Sequence, residues 1–299
     1  MALKLQPNQV HLWYLRSEEP GYTWLSQAID SLISPAELTH SQNFLTRQAR
    51  DSYLITRAFV RTVLSQYIDV SPQSWSFLAN AYGKPEIATP SAGRSLRFSV
   101  ANTDGLVTCA VALDRDIGVD AEVIDSTVET EEIADRFFAR AEVSDLRALP
   151  PDERPYRFFE FWTLKESYIK ARGLGLSLPL EKFAFVVQRR RSIEVVFDPS
   201  IVDDQGLVED PRNWHFSLLQ PIKSHLIAVA LGRLQTEARV SWREAIELTI
   251  NPLKQFAYGA VPFSSSWDSP TDATGRPSPM VTRSRTPLGC DVTARGAME

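Results

Sequence analysis

Ile117-Gly118-Val119-Asp120-Ala121-Glu122-Val123 lies between a polar turn, Asp114-Arg115-Asp116, and a long helical region that opens near Val128. In an extended chain, side chains two apart leave the same face. Asp120 and Glu122 therefore project together, and Val119, Ala121 and Val123 project the other way. The apolar face has to be covered by another layer. Upstream, Leu96 to Val100 and Leu106 to Leu113 read as strands joined by Asn102-Thr103-Asp104-Gly105, a hairpin turn ending in Asp-Gly. Downstream, Val128 to Phe138, Ala141 to Leu149 and Pro155 to Arg172 read as helices, and Phe183 to Val187, Ile193 to Phe197, His215 to Leu219 and Leu226 to Leu231 as strands.

The first third of the chain has the same order. Val10 to Leu15 reads as a strand. Ser34-Pro35-Ala36-Glu37 has the form of a capping box with Pro at the first helical position. From Arg47 to Tyr67 the apolar residues Tyr53, Leu54, Ala58, Val60, Val63 and Leu64 recur at helical spacing, with Arg47, Arg50, Arg57 and Arg61 among them. Tyr82-Gly83-Lys84-Pro85 is a turn. Strand, helix, strands thus occurs twice, and the expected fold is α+β: two similar α/β two-layer halves, residues 1–115 and 116–235. Residues 236–258 form an extension in which Trp242 to Tyr258 is expected as an amphipathic helix around Ile246 and Leu253. Residues 259–299, rich in Ser, Thr, Pro and Gly, are expected as a disordered tail.

Composition narrows the function classes. The chain has 299 residues, 43% hydrophobic and 23% charged, which is ordinary for a globular protein. Its 32 basic and 37 acidic residues give a net charge of −5, unlike a general nucleic-acid binder. No run approaches the ~18 apolar residues needed to span a bilayer, and Met1 to Pro7 lacks the apolar stretch of a signal peptide. Two cysteines, Cys109 and Cys290, make no disulfide framework and no zinc motif. A cytoplasmic protein is expected, bound to neither membrane nor nucleic acid.

Some residues have the types and spacing of chemistry. Asp120 beside Glu122 is a pair of hard oxygen ligands of the kind that suits Mg2+, although the same alternation also describes a solvent face. On a helix, Trp162, Lys165, Glu166, Ile169 and Lys170 fall on one arc, and Phe161, Leu164, Tyr168 and Ala171 on the opposite one. The mixed arc suits a cleft for a charged ligand as well as a surface with snorkelling lysines. The four histidines form no metal-spaced pair, and there is no Walker-type loop or Gly-x-Ser-x-Gly elbow.

Taken in chain order, these segments resemble the phosphopantetheinyl transferases of the single-chain, Sfp-like type. The resemblance runs through Tyr82-Gly83-Lys84-Pro85, Phe98-Ser99-Val100-Ala101-Asn102-Thr103, Gly118-Val119-Asp120-Ala121-Glu122, Arg136-Phe137-Phe138 leading to Glu142, Trp162-Thr163-Leu164-Lys165-Glu166-Ser167-Tyr168-Ile169-Lys170, and Gly173-Leu174-Gly175-Leu176, and spans roughly Val10 to Leu234. It implies a pseudo-dimer of two halves with coenzyme A between them. It implies transfer of the phosphopantetheine arm to a serine of an apo-acyl or peptidyl carrier protein, with release of adenosine 3′,5′-bisphosphate, as in fatty-acid, polyketide or nonribosomal-peptide synthesis. By the same resemblance Asp120, Glu122 and Glu166 hold Mg2+, and Glu142 is the general base. Lys165 and Lys170 neutralise phosphate, and Lys84, Asn102 and Thr103 contact coenzyme A. Arg50 or Arg57 meets the 3′-phosphate, and Trp162 walls the site. The chain differs from the family at Ala101-Asn102, usually Ser-His, and at Ser52, often basic. The carrier is expected on residues Val123 to Leu149, and the protein as a monomer. Two other readings fit the residues alone: a Mg2+-dependent phosphohydrolase that uses the same carboxylates, and a homologue that binds coenzyme A or a carrier without transfer.

Overall fold

The computed structural model describes residues 2–93, 95–188, 192–232, 247–252 and 261–262. Strand β1 (Gln9–Arg16) is followed by helices α1 (Pro20–Leu32), α2 (Pro35–Ser41) and α3 (Arg47–Leu64), a short hairpin of β2 (Ser76–Ala79) and β3 (Pro85–Thr89), and a long hairpin of β4 (Leu96–Thr103) and β5 (Leu106–Leu113). The order then recurs. Strand β6 (Ile117–Val123) leads to α4 (Thr130–Phe137), α5 (Arg140–Ala148) and α6 (Arg154–Arg172), then to the hairpin of β7 (Phe183–Val187) and β8 (Ile193–Phe197) and that of β9 (Trp214–Ile222) and β10 (His225–Gly232). Pairing recurs as well: the sheets contain β1-β5-β4 and β6-β10-β9, and in each the first strand lies antiparallel to the last. The fold is therefore α+β with two similar halves.

Local signals account for the element ends. Ser34 and Glu37 cap α2 reciprocally, with Ser34 N–H donating to Glu37 Oε2 at 3.0 Å and Glu37 N–H to Ser34 Oγ at 3.3 Å. Thr46 caps α3. Gly173, at φ 62°, ends α6 in the left-handed conformation that glycine adopts without a Cβ clash. Helix α1 opens on Pro20 but has no side-chain cap, and Leu25 and Leu32 bury it against α3.

The halves meet on a third apolar cluster. Val10, Leu12, Ala110 and Ala112 of the first half pack against Ile117, Val119, Ala121, Ile227 and Val229 of the second, and burying each of the larger side chains is worth ~1.5–3 kcal/mol. Polar links cross the same seam. Val119 N–H donates to Ser99 Oγ at 3.0 Å, and His225 Nε2 lies 2.8 Å from Asp104 O.

Beyond β10 the expected helix at Trp242 to Tyr258 is replaced by a strand. β11 (Glu247–Pro252) runs parallel to β1, and β12 (Val261–Pro262) pairs with β11. Leu248-Thr249-Ile250 favours strand, and Pro252 cannot sit inside a helix. The remainder of the expected tail at 259–299 lies outside the described residues. Among the described residues no helix is long and apolar enough to cross a membrane.

Strand β6 and helix α6 touch backbone to backbone. A Cβ at Gly118 would stand 1.9 Å from Ser167 O and 2.4 Å from Ala171 N. Gly118→Ala is therefore expected to cost about 3 kcal/mol or more and to lower the thermal midpoint by about 6 °C or more. An unchanged midpoint in a thermal melt would show that α6 can retreat.

Candidate active site

Asp120 and Glu122 leave the face of β6 that looks at α6, as the alternation requires. Asp120 is almost fully buried. Its Oδ1 accepts from Lys170 Nζ at 2.7 Å, and its Oδ2 is buried without a hydrogen-bond partner. Glu122 Oε1 accepts from the Trp162 indole N–H at 3.0 Å. The indole is held in place by stacking on Phe158 at 5.8 Å and by Phe138 at 6.3 Å. Trp162, Glu166 and Lys170 are spaced by one helical turn, so they form the stripe of α6 that faces the strand.

The electrostatics are those of an acidic corner with too few cations. Burial pushes the Glu122 carboxyl up to about 8, and the Asp120 charge and, less strongly, that of Glu166 add to the rise, while Lys170 and the Trp162 hydrogen bond oppose it. Burial works against the Lys170 charge, but Asp120 and Glu166 outweigh it and raise its pKa. Three carboxylates thus share one ammonium. The hard oxygen donors, the partnerless Asp120 Oδ2 and the excess negative charge fit a small divalent cation such as Mg2+, with Asp120, Glu122 and Glu166 as its holders. Among the described residues no three acidic, His or Cys side chains already converge as a cage. The carboxylates would therefore have to close on the ion.

The other expected site residues are placed differently. Lys165 does not share the Trp162–Glu166–Lys170 stripe. It points into the core of the second half and pairs with Glu142 at 2.8 Å, both side chains at 0% exposure. A general base has to meet the hydroxyl it deprotonates, and a phosphate ligand has to meet phosphate. As placed here, Glu142 and Lys165 are both enclosed by protein and paired with each other. Ile169 also turns into the core. Lys84 Nζ is tied to Ala171 O at 2.7 Å and Ile117 O at 3.3 Å, and burial lowers its pKa. It fastens the β2–β3 hairpin to the end of α6 rather than standing open to a phosphate.

On α3, Arg57 lies 3.8 Å from Glu37 and over the Tyr53 ring, and Arg61 bonds Glu37 at 2.8 Å. Arg50 is exposed. Asn102 Nδ2 donates to Ser52 Oγ at 2.6 Å, so the amide joins β4 to α3. Thr103, half-buried, ends β4. His225, which sequence reasoning did not single out, reaches Asp104 O from a position opposite Val123. That link sets the end of β4 beside the Glu122 end of β6. A lone histidine in a strand gives no sequence signal for such a contact.

With the geometry in place, known proteins supply the comparison. A family model described as the 4′-phosphopantetheinyl transferase superfamily matches residues 116–230. The 4′-phosphopantetheinyl transferase HetI of Nostoc sp. is 33% identical over 230 residues, which cover 77% of this chain and 90% of that protein. The 4′-phosphopantetheinyl transferase Sfp of Bacillus subtilis is 35% identical over 155 residues, 52% of this chain and 66% of that one. Among solved structures, the holo-[acyl-carrier-protein] synthase of Thermotoga maritima shows 17% identity over 50% of this chain and 83% of its own, at a TM-score of 0.31, too slight a likeness to add to the sequence relatives.

The raised Glu122 carboxyl has a consequence for stability. In the unfolded chain it ionises near its ordinary value, whereas in the folded chain it keeps its proton to about 8. Its ionisation therefore weakens the fold progressively as pH rises between those values, and the loss is complete above the upper one. In metal-free buffer, Glu122→Gln is expected to melt like wild type at pH 4 and about 5 °C above it at pH 9. A gap that does not grow with pH would show that the corner is already neutralised.

Proposed function

This chain belongs to the 4′-phosphopantetheinyl transferase superfamily, and from that premise we propose that it transfers the 4′-phosphopantetheine group of coenzyme A to a serine of an apo-carrier protein. The serine hydroxyl gives up its proton to solvent, its oxygen bonds the phosphorus that carries the pantetheine arm, and the pyrophosphate P–O bond breaks with its electron pair on the departing adenosine 3′,5′-bisphosphate. The observation that carries the reading is the acidic corner of Asp120, Glu122 and Glu166 around Lys170, on a strand and helix held in backbone contact. Catalysis of phosphoryl transfer is mostly positioning and charge neutralisation, and this corner offers both.

Mg2+, when held by Asp120, Glu122 and Glu166, would neutralise charge on the phosphate oxygens. The chain's own groups supply the rest. Lys170 places an ammonium at Asp120, within the same corner, where a phosphate oxygen could share it. Trp162 holds Glu122 in position and excludes water from that side. Arg50 is the α3 cation we assign to the phosphate remote from the reacting one, because Arg57 and Arg61 are turned toward Glu37 and Arg47 toward Asp51. Asn102 and Thr103, at the end of β4, flank the same side of the corner.

The carrier is assigned to the α4–α5 surface. A pocket of about 380 Å³ there is lined by Asp135, Phe138, Arg140, Val143, Ser144 and Arg147. Phe138 lines it and also packs on Trp162, whose indole bonds Glu122. A carrier seated in the pocket would thus press on the wall of the acidic corner. Both halves lie on one chain, so the active form is a monomer, acting in the cytoplasm.

The deciding experiment is intact mass of an apo-acyl carrier protein after incubation with this protein, coenzyme A and Mg2+. A gain of about 340 Da, lost with EDTA and with Asp120→Ala, is expected from metal-assisted transfer. Coenzyme A cleaved equally well without any carrier would instead identify a phosphohydrolase. Binding of coenzyme A with no gain on any carrier would identify a homologue that has lost transfer. Lys170→Met is expected to lower kcat by about 100-fold, and retention of full kcat would remove it from the site.

A further inference from the structure

The buried pair of Glu142 and Lys165 lies behind α6, on the side away from β6. Lys165 Nζ donates to Glu142 Oε2 at 2.8 Å, to Leu180 O at 2.7 Å and to Phe183 O, and it sits 4.3 Å from the centre of the Phe183 ring. An ammonium has three N–H donors, so none is left for a phosphate. Glu142 Oε1 accepts from Phe185 N–H at 2.9 Å, and Oε2 accepts from Ala139 N–H at 3.0 Å as well as from Lys165. The two side chains knot together the first turn of α5, the middle of α6 and the start of β7.

The charges that act most strongly on the two groups are different ones. Glu122 feels Asp120, Lys170 and Glu166, whereas Lys165 feels Glu142 and Glu181. Yet Lys165 and Glu166 are consecutive residues, about 100° apart around the α6 axis. Whatever fixes Lys165 fixes the rotation of α6, and with it the direction in which Glu166 and Lys170 point.

We propose that Glu142 and Lys165 are positioning residues that touch neither substrate nor metal: their buried ion pair clamps α6 at the rotation that aims Glu166 and Lys170 at the acidic face of β6. The inference deepens the transferase reading and rests on it. A buried pair suits this task because its geometry is demanding. Losing one partner strands a buried charge, whereas replacing both by neutral groups of similar volume is tolerated. Ligands of a metal or phosphate have to be held to within about half an ångström, and groups behind them do the holding.

Two experiments test it. In the native protein, an amine-reactive ester mapped by peptide mass is expected to leave Lys165 unlabelled with and without coenzyme A, and to label Lys170, which coenzyme A protects. Labelling of Lys165 at the rate of Lys170, with protection by coenzyme A, overturns the proposal. In the second experiment, Glu142→Gln and Lys165→Met are each expected to lower kcat/KM for the carrier by about 100-fold. Each is also expected to raise by about tenfold the Mg2+ concentration that half-saturates the thermal shift. The double variant E142Q/K165M is expected to return to within about tenfold of wild type on both. A double variant as inactive as Glu142→Gln, at a temperature where circular dichroism shows both folded, overturns the proposal, because no second substitution restores a lost base. Should a variant not fold, the labelling pattern decides. A wild type that transfers nothing refutes the transferase reading, and labelling and the Mg2+ shift still test the clamp.

Discussion

Strand β6 and helix α6 approach so closely that no side chain fits between them at Gly118, where a Cβ would lie inside the van der Waals shell of Ser167 O and Ala171 N. The rest of the site follows from that contact. Going along the strand from Gly118, Asp120 meets Lys170, and two residues further on Glu122 meets Trp162 near the other end of the helix stripe. Strand and helix therefore run in opposite directions with a register fixed at one glycine. A larger residue there would separate two backbones, and every charged contact between strand and helix would lengthen together.

The two charge clusters of α6 behave oppositely, although they stand on consecutive residues. The Glu142–Lys165 pair is closed: its charges are equal and its donors are met by backbone carbonyls and a carboxylate. The corner at Asp120 is open: three carboxyl groups face one ammonium, an Asp120 oxygen is left buried without a hydrogen-bond partner, and the Glu122 carboxyl holds its proton to about 8. A fold gains nothing from such a corner on its own, since crowded carboxylates in a dry place repel and lose solvation. Its persistence next to a fully satisfied pair argues that the imbalance belongs to function, with the satisfied pair supplying the rigidity that the imbalanced corner lacks.

Much of this was legible in the sequence, for identifiable reasons. Strict alternation of Asp120 and Glu122 with Val119 and Ala121 placed the carboxylates, because period two admits only two faces. The Asp-Gly turn, the Ser34–Glu37 capping box and the αL glycine after α6 marked element ends through local chemistry. The face of Lys165 was not legible. A helical wheel puts it within one residue of both stripes, and the choice is made by the carbonyls of Leu180 and Phe183, which arrive from far along the chain. The contacts of Lys84 were not legible for the same reason: a lysine after a Gly turn gives no sign of the Ala171 and Ile117 carbonyls that hold it here. Helix α1 was missed because tertiary cover, not a side-chain cap or strict periodicity, makes it, and strand β11 because its partner β1 comes from the other end of the chain.

The remaining constraint is the field of the whole chain. With a net charge of −5, the protein as a whole repels a polyanion such as coenzyme A, so attraction has to be local. In the first half several cations are already engaged: Arg47 lies against Asp51, Arg61 and Arg57 against Glu37, and Lys84 is held by backbone carbonyls. Even the amide of Asn102 is taken by Ser52. On the proposed reading Lys170 and Arg50 are the cations assigned to phosphate, and a divalent ion in the acidic corner would add to them. If the proposed transfer holds, affinity for the phosphates would be coupled to the metal through the very carboxylates that otherwise repel them, and an excess of acid beside the reacting phosphate would become a means of holding it.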